Sequence, residues 1–133
     1  MEINILNGKK IFIAGATGMV GSAIYRKLKK YEKNNNIDNL NCLIPSREEL
    51  DLEDYTKVKE WFHIFKPEIT ILAAAKVGGI LANNNNPTDF ILKNLKIQTN
   101  IIEAAWKSGV EKFIFLGSSC IYPKFAEQPL KEE

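Results

Sequence analysis

Hydrophobic and polar positions follow two kinds of pattern along this chain. A dense apolar run over residues 10–14 is typical of a strand that is buried on both faces of a parallel sheet. In the stretch that follows, Val20, Ile24, Leu28 and Tyr31 recur at helical spacing. The same patterns predict strands at residues 10–14, 40–44, 50–52, 69–75 and 112–117, and helices at residues 19–31, 55–65 and 88–107.

The order of these predicted elements indicates the fold class. Strands and helices alternate as a βαβ series, and short connections with right-handed crossovers require a parallel sheet with helices on both faces. We therefore expect an α/β protein with a Rossmann-type, doubly wound sheet of about five strands. The chain has 133 residues and no visible linker or repeat, so residues 1–133 are expected to form one domain.

A glycine-rich turn joins the first predicted strand to the first predicted helix. Gly15, Gly18 and Gly21 have the spacing G-x-x-G-x-x-G. Such a turn lets the backbone approach a pyrophosphate, whose charge the N–H groups at the helix N-terminus stabilise. The strand before and the helix after favour a dinucleotide site, and the alternative is a tight turn without a ligand. The predicted pyrophosphate site consists of Gly15, Ala16, Thr17, Gly18, Met19, Val20 and Gly21.

The spacing of the glycines indicates which cofactor is bound. With Thr17 before the middle glycine, the turn resembles that of the short-chain dehydrogenase/reductase superfamily. This resemblance implies a nicotinamide cofactor over FAD.

Composition and charge exclude several other classes of protein. Hydrophobic residues make up 45% of the chain and charged residues 26%, with a net charge of +2, as in an ordinary globular protein. The lysines form no basic stripe with interleaved aromatic residues, so we expect no nucleic-acid partner. No apolar run approaches the ~20 residues of a membrane span, and the N-terminus has no secretory signal. A cytoplasmic protein without a membrane partner is expected.

The chain contains few cysteine and histidine residues that could bind a metal ion: two cysteines and one histidine. Cys42 and Cys120 fit free thiols in a reducing compartment. His63 is the only histidine, and it lies in a predicted helix whose apolar face is formed by other residues. We therefore expect no metal-ligand cluster and no catalytic role for His63.

The end of the second predicted strand bears on the choice between NAD and NADP. A carboxylate there would bind the ribose 2′-hydroxyl and repel a 2′-phosphate, but residues 40–44 lead into Pro45, Ser46 and Arg47. The planar guanidinium of Arg47 suits a phosphate, which favours NADP. Ser46 and Glu49 also have capping-box spacing, so Arg47 could be an ordinary first-turn residue, and both roles are compatible with one turn.

Two further segments follow predicted strands. The first is Ala-Ala-Ala-Lys-Val-Gly-Gly-Ile at residues 73–80, and the second is Phe-Leu-Gly-Ser-Ser-Cys-Ile-Tyr-Pro-Lys at residues 115–124. Ligands bind at the carboxyl ends of strands in open α/β sheets. Small residues there let a cofactor lie against the backbone, and a serine hydroxyl can hydrogen-bond a substrate carbonyl.

These segments, together with the glycine turn, resemble one family closely. From about Lys10 onward the chain is similar to the GDP-L-fucose synthases, NADPH-dependent 3,5-epimerases and 4-reductases of the extended short-chain dehydrogenase/reductases. Residues 83–84, Pro87 and residues 89–90 share in the resemblance. Related sugar-nucleotide epimerases or dehydratases, and a dinucleotide-binding module without catalytic activity, remain alternatives.

The resemblance implies a role for each matching residue. Arg47 would hold the 2′-phosphate, Asp51 and Leu52 would contact the adenine, and Leu116, Gly117, Ser118 and Ser119 would contact the nicotinamide end. A second reading of the adenine segment is a strand residue followed by Asp54 as a helix N-cap. Ser118 would hydrogen-bond the C4 carbonyl of a GDP-sugar, and Cys120 would exchange protons beside it. A homodimer is implied as well.

Two features depart from the family pattern. A family member has a basic residue where this chain has Thr17, so Arg47 would hold the 2′-phosphate with less help. The family has a Tyr-x-x-x-Lys pair on the helix after the fifth strand, but after the last predicted strand of this chain the only tyrosine with a lysine nearby is Tyr122, and Lys124 has the wrong spacing. We therefore expect the N-terminal part of a longer enzyme, inactive on its own, with an exposed apolar edge at its last strand.

Overall fold

Four parallel strands form the centre of the protein. The computed structural model describes residues 6–35, 37, 40–118, 121–123 and 125–132. Within these residues the strands are β1 (Lys10–Ala14), β2 (Asn41–Leu43), β3 (Ile69–Leu72) and β4 (Lys112–Phe115), in the sheet order β2-β1-β3-β4. Every neighbouring pair is parallel. The Rossmann-type parallel sheet that the sequence predicts is confirmed.

Four helices connect the strands and cover the sheet. They are α1 (Met19–Asn34), α2 (Tyr55–Phe65), α3 (Ile80–Asn85) and α4 (Pro87–Ser108). The predicted helices appear with small changes of length, and α3 is an additional short helix. Asn83 stabilises α3 because its side-chain amide donates to the carbonyls of Gly78 and Gly79 at 2.9 and 3.1 Å.

Alternate side chains of the strands point into two separate cores. Phe12 and Leu72 lie in the core formed with α2 and α4, where the Phe12 and Trp61 rings are 4.5 Å apart. Ile13 and Ile71 lie in the other core, which α1 covers. Burial on both faces explains the continuous apolar run of β1 and the order of layers, helix on sheet on helix.

The predicted strand at residues 50–52 is wrong. These residues form a turn, so the described part of the sheet has four strands where about five were expected. The backbone N–H of Glu53 donates to the Asp51 carboxylate at 3.0 Å, and that of Asp54 donates to the Asp51 carbonyl at 3.2 Å. Local bonds of this kind compete with strand pairing. Leu50 is apolar because it is buried in the core beside α2, not because it belongs to a strand.

The last strand has an exposed side, as the sequence predicts. β4 pairs with β3 and lies at an edge of the described sheet. Ile114, Phe115 and Leu116 are 37%, 49% and 39% exposed. Apolar side chains along an open edge favour association.

Thr70 offers a test of the packing in β3. It is fully buried, and its hydroxyl has no hydrogen-bond partner within the described residues. Thr70→Val should raise the free energy of unfolding by about 1 kcal/mol, because it removes an unpaired buried polar group and keeps the shape of the side chain. Urea denaturation measures the change. Thr70→Ser is the control and should destabilise the protein, whereas a less stable valine variant would contradict the argument.

Candidate functional site

The glycine turn lies between β1 and α1, as predicted, and its backbone has a defined shape. Gly15 has a φ of +83°, in the left-handed region that favours glycine. The N–H of Gly18 donates to the Gly15 carbonyl at 3.0 Å, which closes the turn. Gly18 is the N-cap of α1, makes no side-chain capping bond, and is followed by no acidic residue in the first turn. The N-terminus of α1 thus suits an anion.

Close packing explains why the turn needs glycine at two of its positions. A Cβ on Gly21 would lie 2.1 Å from the Gly15 carbonyl oxygen, and a Cβ on Gly15 would lie 2.8 Å from the Ala73 carbonyl oxygen. Neither neighbouring atom belongs to a flexible side chain, so the backbone would have to move. The turn is therefore pressed between α1 and the end of β3.

A groove with a cavity volume of about 430 Å³ lies over the turn. It is at the carboxyl ends of β1, β2 and β3, where ligands bind in open α/β sheets. Its lining comes from the ends of β1 and β3 and the segments after them (residues 12, 14–18 and 73–76), from the segment after β2 (residues 45–47 and 50–53), and from Lys93 and Ile97 of α4. Ala16, Thr17 and Gly18 line it together with Gly15. Met19, Val20 and Gly21 are not among the lining residues.

Arg47 lies at the rim of this groove. Its turn forms the predicted capping box and also leaves the guanidinium exposed, so the two roles considered for this turn are compatible. The Ser46 N–H donates to the Glu49 carboxylate at 2.7 Å, and the Glu49 N–H donates to the Ser46 hydroxyl at 3.3 Å, so the capping-box bonds form. The Arg47 side chain is 79% exposed and contacts Glu53, with 3.5 Å between the nearest nitrogen and oxygen. The guanidinium is thus accessible from the groove.

Asp51 and Leu52 also line the groove, close to apolar side chains. One Asp51 carboxylate oxygen accepts a hydrogen bond from the Glu53 N–H within the turn. The Leu52 carbonyl accepts a hydrogen bond of 3.0 Å from the Asn100 side chain of α4. Leu50 and Ile97 line the same groove. An apolar slot between a turn and a helix suits a flat ring such as adenine.

Glu53, Lys93 and Ile97 are among the groove residues that were not predicted as site residues. Lys93 and Ile97 are four residues apart on one face of α4, and this spacing is the signal that could have identified them together. Glu53 lies outside any regular element and carries no such signal.

Lys76 and Lys93 share one carboxylate at the groove. Both ammonium groups contact Asp89, and the distance from Lys93 is 3.2 Å. The Lys76 ammonium also lies 4.9 Å from the centre of the Phe90 ring. Asn94 bonds to both the N–H and the carbonyl of Lys76, at 2.7 and 3.0 Å. The segment after β3 is thereby attached to α4.

The predicted nicotinamide and catalytic residues follow β4. The Leu116 N–H donates to the Leu72 carbonyl at 3.1 Å and continues the pairing with β3. Leu116, Gly117 and Ser118 are exposed and are not among the lining residues of the groove. Ser119 and Cys120 lie outside the described residues. The catalytic roles of Ser118 and Cys120 stay predictions.

The remaining candidates for reactive chemistry lie away from the groove. Cys42 is half-buried in β2, and burial raises the pKa of its thiol, which leaves it a poor nucleophile at neutral pH. His63 is exposed on α2. In the described ranges, no group of three or more His, Cys, Asp or Glu side chains is placed to hold a metal ion. None of the helices described is long and apolar enough to cross a membrane.

Comparison with known proteins gives concordant matches. A GDP-L-fucose synthase of Sinorhizobium fredii is 48% identical over all of this chain and 40% of its own length. GDP-L-fucose synthase 1 of Arabidopsis thaliana is 51% identical over 98% of this chain and 39% of its own length. The chain thus spans about 40% of the length of these curated relatives.

Solved structures support the same grouping. MlghC, a GDP-mannoheptose C4 reductase from Campylobacter jejuni with NADP bound, is 38% identical and superposes with a TM-score of 0.83. The match covers 93% of this chain and 37% of that one. Residues 11–133 match the model of one protein family. This matched range includes the glycine turn and the residues that line the groove. The chain therefore belongs to the NAD dependent epimerase/dehydratase family.

Proposed function

We propose that this chain binds NADPH in the groove over the glycine turn. Through that cofactor it serves the epimerisation and reduction of GDP-4-keto-6-deoxy-D-mannose to GDP-L-fucose. The observation that carries the proposal is the cradle itself. The turn leaves no space for a Cβ at Gly15 or Gly21, presents the uncapped N-terminus of α1, and has the Arg47 guanidinium at the rim of the same groove. Both relatives compared above are named GDP-L-fucose synthases, and MlghC holds NADP.

Each group of predicted site residues holds one part of the cofactor. Residues 15–21 hold the pyrophosphate, through backbone N–H groups at the start of α1. Arg47 holds the 2′-phosphate by paired hydrogen bonds from its planar guanidinium. Asp51 and Leu52 contact the adenine, and residues 116–119 contact the nicotinamide end. The bound cofactor supplies the hydride for the reduction.

Two residues after β4 act on the sugar. The Ser118 hydroxyl donates a hydrogen bond to the C4 carbonyl of the GDP-sugar, which stabilises negative charge on that oxygen. The Cys120 thiol exchanges protons at the carbons beside the ketone, whose C–H bonds the carbonyl acidifies. Turnover also requires an acid that protonates the C4 oxygen. The lack of activity expected of the 133-residue chain alone stays a prediction, as does its cytoplasmic location.

Dinucleotide titration of the purified chain tests the cofactor assignment without requiring turnover. NADPH should bind saturably, with a change in its fluorescence, and should stabilise the chain by about 2.7 kcal/mol at a hundred times its Kd. NADH should bind more weakly. A chain that binds neither, or that prefers NADH, would contradict the assignment.

The family resemblance also implies a homodimer, and α4 offers a surface for it. Ile91, Leu95, Ile102 and Trp106 lie on one stripe of this 22-residue helix and are 45% to 77% exposed. The stripe extends over much of a helix that is about 33 Å long. The occupant that we propose is the same stripe of a second copy, related by a two-fold axis.

Leu95→Glu should convert this dimer to a monomer, because it places a charge in the middle of the apolar contact. Light scattering after gel filtration measures the mass. Thr56→Glu, which makes the same charge change on the exposed side of α2, should leave the dimer intact. A monomeric wild-type chain at micromolar concentration would contradict the proposal.

A further inference from the structure

An acidic residue lies beside the predicted phosphate-binding arginine. Glu53 contacts Arg47 at 3.5 Å, and both side chains line the groove. The residues directly after β2, Pro45 to Arg47, include no acid. The turn at residues 51–54 instead brings the Glu53 carboxylate beside Arg47. A carboxylate next to the ribose site is the feature that favours NAD, whereas an arginine favours NADP. Here the two groups are side by side.

The structure anchors Glu53 more firmly than Arg47. The Glu53 N–H donates to the Asp51 carboxylate, and the neighbouring Leu52 carbonyl accepts a bond from Asn100 of α4. The Glu53 side chain is 23% exposed, compared with 79% for Arg47. The Glu53 backbone is therefore fixed and its side chain is mostly buried, whereas the long, exposed arginine side chain is the one that can turn toward a ligand.

Other charges at the groove do not replace Arg47. Lys76 and Lys93 also line the groove, but both contact Asp89, which offsets part of their positive charge. Thr17, in the glycine turn, carries no charge. A 2′-phosphate of nearly two negative charges at Arg47 would thus lie close to the Glu53 carboxylate, which already contacts that arginine.

We propose that Glu53 sets the cofactor preference of this chain. Its carboxylate competes with the 2′-phosphate of NADPH for Arg47, and it accepts a hydrogen bond from the ribose 2′-hydroxyl when NADH is bound. The chain therefore uses both dinucleotides, with a preference for NADPH of no more than about tenfold. This inference rests on the proposed dinucleotide site and adds to it the residue that limits discrimination.

The test compares NADPH and NADH binding to the wild-type chain and to Glu53→Gln, by fluorescence titration at fixed ionic strength. Glutamine keeps the size of the side chain, removes the charge, and can donate a hydrogen bond to a phosphate. Glu53→Gln should bind NADPH about fivefold more tightly, and NADH no more tightly than the wild type. The preference for NADPH should rise by at least the same factor.

A control variant separates a local contact from a general change of charge. Glu60→Gln makes the same charge change on the exposed side of α2, outside the groove lining. It should leave the ratio of the two Kd values within about twofold of the wild type.

The outcomes distinguish this inference from the proposed function. If the wild-type chain binds NADPH and Glu53→Gln leaves the ratio unchanged, the role of Glu53 is refuted and the dinucleotide site stands. A wild-type preference for NADPH clearly above about tenfold would also refute it. A wild-type chain that binds neither dinucleotide overturns the proposed function, and the role of Glu53 with it.

Discussion

Gly21→Ala should lower the free energy of unfolding by about 3 kcal/mol or more, and with it abolish dinucleotide binding. The added Cβ would lie 2.1 Å from the carbonyl oxygen and 2.7 Å from the carbonyl carbon of Gly15. Real Cβ contacts do not approach backbone atoms so closely, so α1 would have to move away from the glycine turn. Urea denaturation followed by circular dichroism measures the loss of stability.

Gly79→Ala is the matched control for that substitution. A Cβ at position 79 meets no atom within 4 Å, and the φ of −70° suits alanine. This variant should lose no more than about 1 kcal/mol of stability, the cost of alanine in place of glycine at the N-cap of α3. A Gly21→Ala variant as stable as Gly79→Ala would show that α1 and the turn are not held in the described contact.

A milder variant keeps the binding argument testable if Gly21→Ala does not fold. A Cβ on Gly18 would lie 3.3 Å from the Gly15 carbonyl oxygen, a contact that a shift of a few tenths of an ångström relieves. Gly18→Ala should therefore fold and place a methyl group at the start of α1, where the pyrophosphate would approach the backbone. NADPH and NADH should both bind at least tenfold more weakly. Unchanged Kd values would contradict the placement of the pyrophosphate.

Arg47→Ala should weaken NADPH binding by about tenfold to a hundredfold and change NADH binding little. A hydrogen bond to a charged group contributes about 1.5–3 kcal/mol, and the guanidinium is the group assigned to the 2′-phosphate. Removal of Arg47 also leaves Glu53 without its cationic partner, which adds repulsion toward the phosphate. Fluorescence titration with both dinucleotides gives the two Kd values.

Arg26 provides the control for this variant. It is the other arginine of the chain and lies exposed on α1, outside the groove lining. Arg26→Ala should leave both Kd values within about twofold of the wild type. An equal loss of NADPH and NADH affinity in Arg47→Ala would contradict the assignment of Arg47 to the 2′-phosphate, because NADH has none.

Several local predictions could be made because the contacts lie between residues that are close in the sequence. Asp54 accepts a hydrogen bond from the Lys57 N–H and begins α2, as one reading of that segment predicts. Pro87 begins α4, and Gly109 ends it with a φ of +76°. Caps of this kind depend on side-chain and backbone geometry within four residues, so the residue types themselves indicate them.

Other features depend on partners that are distant in the sequence. Residues 50–52 resemble a strand in composition, yet Asn100 holds the Leu52 carbonyl from 48 residues away and the segment turns. The groove residue Lys93 reaches its position because α4 packs beside β3. Neither the Asn100–Leu52 contact nor this packing follows from a period or a motif.

The apolar periods and the glycine spacing were sufficient for the parallel α/β fold and for the position of the glycine turn between β1 and α1. Both depend on properties that each segment has by itself: which faces are apolar, and where the backbone needs freedom. The charges near Arg47, in contrast, come from segments that are distant from one another in the sequence. Glu53 comes from a turn, Lys76 follows β3, and Asp89 and Lys93 lie on α4, so these three segments meet only when the sheet and its helices are packed. The charges on which the proposed cofactor preference depends are therefore brought together only by the tertiary structure.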